Sequence, residues 1–199
     1  MIIRKQFVIG CTHFDDLSIM RYRVGFKTVD DMAHAIVDSW KSIVSPDDTV
    51  YVLGDFALKH IDKWVKRLPG RKVLIRGNHD KITCFNDFQE VHDILQIRII
   101  PENMISMPLD IVMCHYPMVS WYNKQNGSVH LHAHSHGMLP TSLPGVPGAA
   151  KLDMSVDCWK QWPVEMNVAI ETAIKKRTQA DEKENNSLKE KERTKRTKQ

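Results

Sequence analysis

Read for side chains that carry chemistry, the sequence repeats one device. A short apolar run ends, and a metal-ligating or acid–base residue follows. The fullest case is Val73-Leu74-Ile75, after which Arg76-Gly77 leads into Asn78, His79 and Asp80. Phe7-Val8-Ile9-Gly10 opens onto Cys11-Thr12-His13, and Thr49 to Leu53 opens onto Gly54-Asp55. Leu109 to Cys114 closes on His115, and Ser128 to Leu131 delivers His132-Ala133-His134-Ser135-His136. Imidazole, carboxylate and amide donors together suit Mn²⁺, Fe²⁺ or Zn²⁺ better than Mg²⁺ or Ca²⁺. Taken singly, each residue has a plainer reading. A histidine at a strand end is usually a surface or hydrogen-bonded residue, and Asp after Gly is a common turn. His130, His132, His134 and His136 in alternation also fit the polar face of one strand, because residues two apart share a side. The joint occurrence at successive strand ends is what points to a metal centre.

The elements that must position these residues follow from periodicity. Strands are expected where the apolar runs lie, at Phe7–Ile9, Thr49–Leu53, Lys72–Ile75, Leu109–Cys114, Ser128–Leu131 and Lys151–Val156. Weaker strand patterns cover Phe88–Val91 and Gln96–Ile100, with Pro101-Glu102-Asn103 as a turn. Met32, Ala35, Ile36, Trp40, Ile43 and Val44 recur at helical spacing, with Thr28 or Asp30 as the cap. A short helix over Ile61–Leu68 is stopped by Pro69-Gly70, and Pro163–Ile174 reads as a closing helix. Residues 139–148 are rich in proline and glycine and read as loop. Strands alternating with helices predict an α/β sheet, in which ligands gather outside the carboxyl ends of the strands.

Length and composition bound the class. The chain has 199 residues, 42% hydrophobic and 26% charged, enough for one domain with a real core. No apolar run approaches the roughly 20 residues of a membrane helix, and the start carries no signal-peptide pattern, so a cytoplasmic protein without membrane contact is expected. Cys11, Cys84, Cys114 and Cys158 are widely spaced and do not form a disulfide framework. The net charge of +4 is unevenly placed. Residues 175–199 hold ten Lys/Arg against five Asp/Glu, a net +5, and the rest of the chain carries −1. A domain over 1–174 followed by a basic tail over 175–199 is expected, the tail read as disordered in preference to a solvated helical extension.

In order and spacing, Gly54-Asp55, Gly77-Asn78-His79-Asp80, His115 and Ala133-His134-Ser135-His136 resemble the calcineurin-like metallophosphoesterases, of the small single-domain type common in bacteria and phages. The likeness spans about residues 5–170. It implies a four-layer α/β/β/α sandwich with two divalent metal ions, Mn²⁺ first, with Fe²⁺ or Zn²⁺ as alternatives. Asp55 would bridge them, His13 and His136 would hold the first, and Asn78, His115 and His134 the second. His79 would act as general acid, oriented by Asp80. A hydroxide bridging the metals would then hydrolyse a phosphomonoester or phosphodiester, of a nucleotide or nucleic acid among other substrates.

Three positions depart from that family. Cys11 stands where an aspartate ligand is usual, and it is read either as a thiolate ligand or as a small buried apolar residue. Asp15 or Asp16 offers a distant replacement carboxylate. Phe14-Asp15-Asp16 replaces a usual Phe-Gly-His at the mouth of the site, and Ala133 replaces a glycine before His134. If Cys11 disables the first position, the alternative is a binding scaffold that kept the fold and lost turnover. Trp121 and Tyr122 are candidates to stack a nucleobase, or simple packing residues. The nearly neutral body argues against a long duplex-binding groove.

Overall fold

The computed structural model describes residues 4–101, 107–139 and 150–196. Most of the expected loop at 139–148, and most of the turn at 101–103, lie outside the described residues. Two sheets face one another. The first holds β1 (Gln6–Ile9), β2 (Thr49–Val52), β3 (Arg71–Ile75), β4 (Glu90–His92) and β9 (Val164–Glu165), in the order β4-β3-β2-β1-β9. Its first four strands are parallel, and β9 runs antiparallel to β1. The second holds β5 (Ile94–Ile99), β6 (Leu109–Cys114), β7 (Val129–His132) and β8 (Ala150–Asp153), parallel except for the β5–β6 pair. The two-residue β9 at Val164–Glu165 falls in a stretch that the sequence reads as helix.

Strand alternation assigns the faces. Phe7, Ile9, Val50, Val52 and Leu74 pack under α1 (Val29–Ile43) and α2 (Ile61–Arg67), with Met32, Ile36, Trp40 and Trp64. The intervening residues Val8, Tyr51, Leu53, Val73 and Ile75 turn the other way. They meet Ile111, Met113, Val129, Leu131 and Leu152 of the second sheet. The central strands of the first sheet are therefore apolar on both faces, as parallel strands covered on both sides must be. Thr28 caps α1 by a reciprocal pair: its Oγ1 accepts from the Asp31 N–H, and the Asp31 carboxylate accepts from the Thr28 N–H.

α3 (Met166–Arg196) packs on β8 and on the β9–β1 edge through Met166, Ala169, Ile170 and Ala173. The result is the α/β sandwich of two sheets flanked by helices that the sequence implies. The helix continues through the charged segment to Arg196, as an extension in place of the preferred disordered tail. Lys, Arg, Glu and Gln are good helix formers, a folded first half supplies the nucleus, and Arg177 pairs with Asp181 one turn on.

Two local features decide how the sheets meet. A Cβ on Gly10 would lie 2.6 Å from the Ala133 Cβ and 3.2 Å from the Leu53 Cβ, so Gly10 is where strand ends of the two sheets touch. Ala133 thus fills space that Gly10 leaves open. On the outer face of the second sheet, the loop 115–128 covers His130. Its Nδ1–H donates to the Val112 carbonyl (3.0 Å), its Nε2 accepts the Met118 N–H (3.1 Å), and the Trp121 ring lies 5.1 Å away. His130 and His132 share this face as strand alternation predicts, and β7 ends before His134 and His136.

Gly10→Ala should lower stability by about 1–3 kcal/mol through overpacking. Adding Ala133→Gly should recover part of that loss, read as denaturant midpoints across the four proteins of the cycle. Burial pushes the His130 imidazole down to about 4, so the unfolded chain takes up this proton first as pH falls. The fold should lose on the order of 3 kcal/mol from this residue alone between pH 6.5 and pH 4. His130→Gln should flatten the acid limb of a stability–pH curve.

Candidate metal centre

The expected ligands come from five strand ends and converge. His115 follows β6, and its Nδ1 lies 2.7 Å from the Leu53 carbonyl, which only accepts. That nitrogen therefore carries the proton, and Nε2 presents a lone pair. Nε2 lies 3.1 Å from Asn78 Oδ1, 3.2 Å from His134 Nδ1 and 3.5 Å from Asp55 Oδ2. The His115 lone pair and the Asn78 and Asp55 oxygens repel one another at these distances, and either a proton on His134 Nδ1 or a cation among them relieves the conflict.

The second cluster has the same logic. His13 Nδ1 lies 2.9 Å from Asp16 Oδ2, which fixes the proton there and frees Nε2. His13 Nε2 is buried, has no hydrogen-bond partner, and lies 3.7 Å from Asp55 Oδ2. Burial pushes the His13 imidazole down to about 4, so it is neutral and able to ligate at pH 7. His136 Nδ1 lies 2.7 Å from Asp157 Oδ2, and the His13 and His136 rings are 5.4 Å apart. A carboxylate behind the distal nitrogen of each imidazole is the usual support for a metal-binding histidine. Cys11 Sγ groups with His13 and His136, and again with Asp55 and His115, all donor atoms of a group lying within 4.8 Å of one another. Burial and the Asp55 carboxylate push the Cys11 thiol up.

Asp55 sits between the two clusters, as a bridging carboxylate must. Its Oδ1 accepts the His79 N–H at 2.9 Å. Its turn needs a glycine opposite: a Cβ on Gly77 would fall 2.4 Å from Asp55 Oδ1. Cys11, His13, Asp55, His134 and His136 all have φ between 47° and 65°. Left-handed backbone at a non-glycine residue costs of order 1–3 kcal/mol. Five such residues around one cleft mark a site where geometry is held against local preference.

His79 is exposed, with its ring 5.6 Å from that of His13, at the open side of the cleft. Asp80 does not orient it. Its carboxylate instead accepts the N–H groups of Asp55 (2.8 Å), Gly77 (2.8 Å) and Phe56 (3.0 Å). Three backbone donors are a stronger claim on a carboxylate than a side chain already turned to solvent. Asp15 accepts from His60 and Trp64 and joins neither cluster. Asp16 supports His13 rather than supplying a ligand of its own. Trp121 is buried against His130 and unavailable for stacking. The half-exposed aromatic at the cleft is Tyr116, its ring 4.9 Å from both His115 and His134.

The sequence reading missed Arg23 and Asp157. The buried Arg23 guanidinium holds Asp157 through Nε (2.8 Å) and Nη2 (2.9 Å), and donates to the Cys11 and Thr12 carbonyls. His136 and Arg23 hold the Asp157 carboxyl well below its usual range, although burial alone would raise it. Asp153 does similar service for the His-x-His turn, accepting from Ser135 Oγ and the Gly137 N–H. Asp153 closes β8 and Asp157 lies four residues on, a strand-end pattern like those of the expected ligands, whereas Arg23 carries no such signal.

No family model matches the chain. The uncharacterized protein MJ1445 of Methanocaldococcus jannaschii is 28% identical over 177 residues, covering 85% of this chain and 92% of that one. The gene 66 protein of Mycobacterium phage L5 is 25% identical over 175 residues, 74% of this chain and 84% of its own. The crystal structure of AQ665 from Aquifex aeolicus, a protein of unknown function, aligns with a TM-score of 0.62 at 24% identity. It covers 82% of this chain and 96% of AQ665. The fold is shared. Among the described residues no helix is long and apolar enough to cross a membrane.

Asp80→Asn should destabilise the fold by about 1–3 kcal/mol, because one of its oxygens becomes an NH₂ facing backbone donors. Thermal unfolding of the metal-free protein checks this. A residue that only oriented His79 would leave the midpoint unmoved.

Proposed function

We propose that this chain is a metallophosphoesterase of the calcineurin-like type, hydrolysing a phosphomonoester or phosphodiester. The observation that carries the reading is the convergence of donors on either side of Asp55, with the buried His13 Nε2 left without a partner. The donor set fits two divalent ions. Asp55 would be shared, His13, His136 and Cys11 would hold one, and Asn78, His115 and His134 the other. Mn²⁺ suits the oxygen-and-imidazole side. Two such ions supply polarisation of a phosphoryl oxygen and a water acidic enough to serve as nucleophile near neutral pH.

The protein's own groups account for the rest. The Nδ1–H bonds of His13, His115 and His136 to Asp16, Leu53 and Asp157 fix which ring nitrogen faces the cleft. Asp80 locks the Asp55 and Asn78 turns together, so the donors stay at fixed separations when substrate arrives. His79 is placed to give a proton to the departing ester oxygen. Tyr116 flanks the His115 and His134 side, where its ring can contact the organic part of the ester.

The test is hydrolysis of an aryl phosphomonoester and an aryl phosphodiester with added Mn²⁺, beside an alkyl ester of each. The natural protein should turn over at least one. Asp55→Asn should lose more than the roughly 10–100-fold expected of an outer-shell change. His79→Gln should retain its metal and lose about 10²-fold or more on alkyl esters, but less on aryl esters, whose leaving oxygen needs no proton. Absence of turnover with Mn²⁺, Fe²⁺ and Zn²⁺ alike would overturn the reading.

A further inference from the structure

The two sides of Asp55 differ in chemistry. Asn78, His115 and His134 offer oxygen and imidazole, and Cys11, His13 and His136 add a sulfur. Several observations separate a ligand from a packing cysteine. Cys11 Sγ accepts the backbone N–H of His134 at 3.3 Å, so the sulfur faces the ligand-bearing turn. It lies within 4.8 Å of ring nitrogens of His13 and His136, which themselves face one another. His13 Nε2 beside it is buried and unpartnered. Cys11 also holds φ at 53°, a left-handed conformation that filling space with a small apolar side chain does not require.

Arg23 ties these parts into one unit. Its guanidinium, 4% exposed as a residue, donates to the Cys11 carbonyl at 2.6 Å and grips Asp157, which in turn holds His136. The backbone that aims the sulfur and the carboxylate that aims the imidazole thus share one buried cation. Because Arg23 reaches Cys11 through its backbone carbonyl, it fixes the direction in which the sulfur leaves the chain.

We propose that the position bounded by Cys11, His13 and His136 is a thiolate–imidazole metal site that takes Zn²⁺ or Fe²⁺ in preference to Mn²⁺. The centre is then asymmetric, with the harder ion on the Asn78 side. This rests on the metal-centre reading above and adds the selectivity of one half. Binding forms a metal–sulfur bond and releases the thiol proton to the buffer, with no change of oxidation state. Thiolate favours Zn²⁺ and Fe²⁺ because sulfur is a soft donor, whereas Mn²⁺ sits low in the affinity order and prefers oxygen.

The experiment uses the full chain freed of metal by chelation and titrated with Co²⁺. A thiolate-to-cobalt charge-transfer band should grow in the near ultraviolet to about one equivalent of metal. Cys11→Ser should abolish it, and Asn78→Ala should keep it. After dialysis against equal Zn²⁺ and Mn²⁺, metal analysis should find one Zn²⁺ retained, with the preference falling about tenfold or more in Cys11→Ser. Co²⁺ bound without the band, no Co²⁺ bound, or a band that survives Cys11→Ser would each overturn the proposal. If Cys11→Ser fails to fold, thiol alkylation of the natural protein with and without Co²⁺, mapped by peptide, decides instead: bound metal should protect Cys11, and equal labelling of Cys11 in both would overturn the proposal. A band without hydrolysis of any ester supports the thiolate site and removes the esterase reading. Hydrolysis with no band keeps the esterase reading and overturns the thiolate site.

Discussion

The arrangement depends on one carboxylate that is not itself a ligand. Asp80 receives the N–H groups of Asp55, Phe56 and Gly77, so the chain leaving β2 and the chain leaving β3 are fixed to one point. Without that anchor, three partly buried donors would lose their acceptor, and Asp55 would lose its position relative to Asn78. The tight approach leaves no room for a side chain at Gly77. Gly77, Asp80 and the left-handed Asp55 are therefore one device. It explains why an amide, an imidazole and a carboxylate stand in a row: Asn78 faces the cleft, His79 faces solvent, and Asp80 turns back to hold the loop.

The same division recurs at each histidine. A ring nitrogen is useful as a ligand only if the other nitrogen carries the proton, and an acceptor must be supplied to hold it there. Asp16, Asp157 and the Leu53 carbonyl do this for His13, His136 and His115. Burial lowers the affinity of His13 for a proton, and the neighbouring carboxylates stop short of restoring it. At His13, then, desolvation sets the neutral form, while the Asp16 carboxylate fixes which nitrogen carries the remaining proton.

The strands and the residues at their ends were legible because both are local. An apolar run followed by Gly-Asp or Gly-Asn-His-Asp announces a buried strand and its turn. Parallel pairing then brings distant residues to one edge, so which residues converge could be read before the sheet order was known. The supporting residues could not. Arg23 and Asp157 are 134 positions apart, and no periodicity encodes a buried ion pair of that separation. Asp16 lies three residues from His13, but only the left-handed backbone at His13 turns the ring toward it. Asp80 was misread for a related reason: adjacency to His79 suggests a side-chain pair, whereas the fold offers three backbone donors. The charged end of α3 left two readings open, because a polar segment without an apolar stripe carries no packing signal of its own.

The cost of the site is met by the sandwich around it. Several left-handed residues, a buried guanidinium and an unpartnered imidazole nitrogen all oppose folding. The first-sheet strands that lead to Cys11, His13 and Asp55 are apolar on both faces, with Trp40, Ile36 and Met32 on one side and Ile111, Met113 and Leu131 on the other. A strand held by two cores cannot slip in register or rotate its end residues outward without exposing both. The contact of Gly10 with Ala133 extends this constraint to the line where the sheets meet. Donor groups from both sheets then converge because neither sheet can retreat, and a metal ion that satisfied their lone pairs would add to stability where the bare protein carries strain.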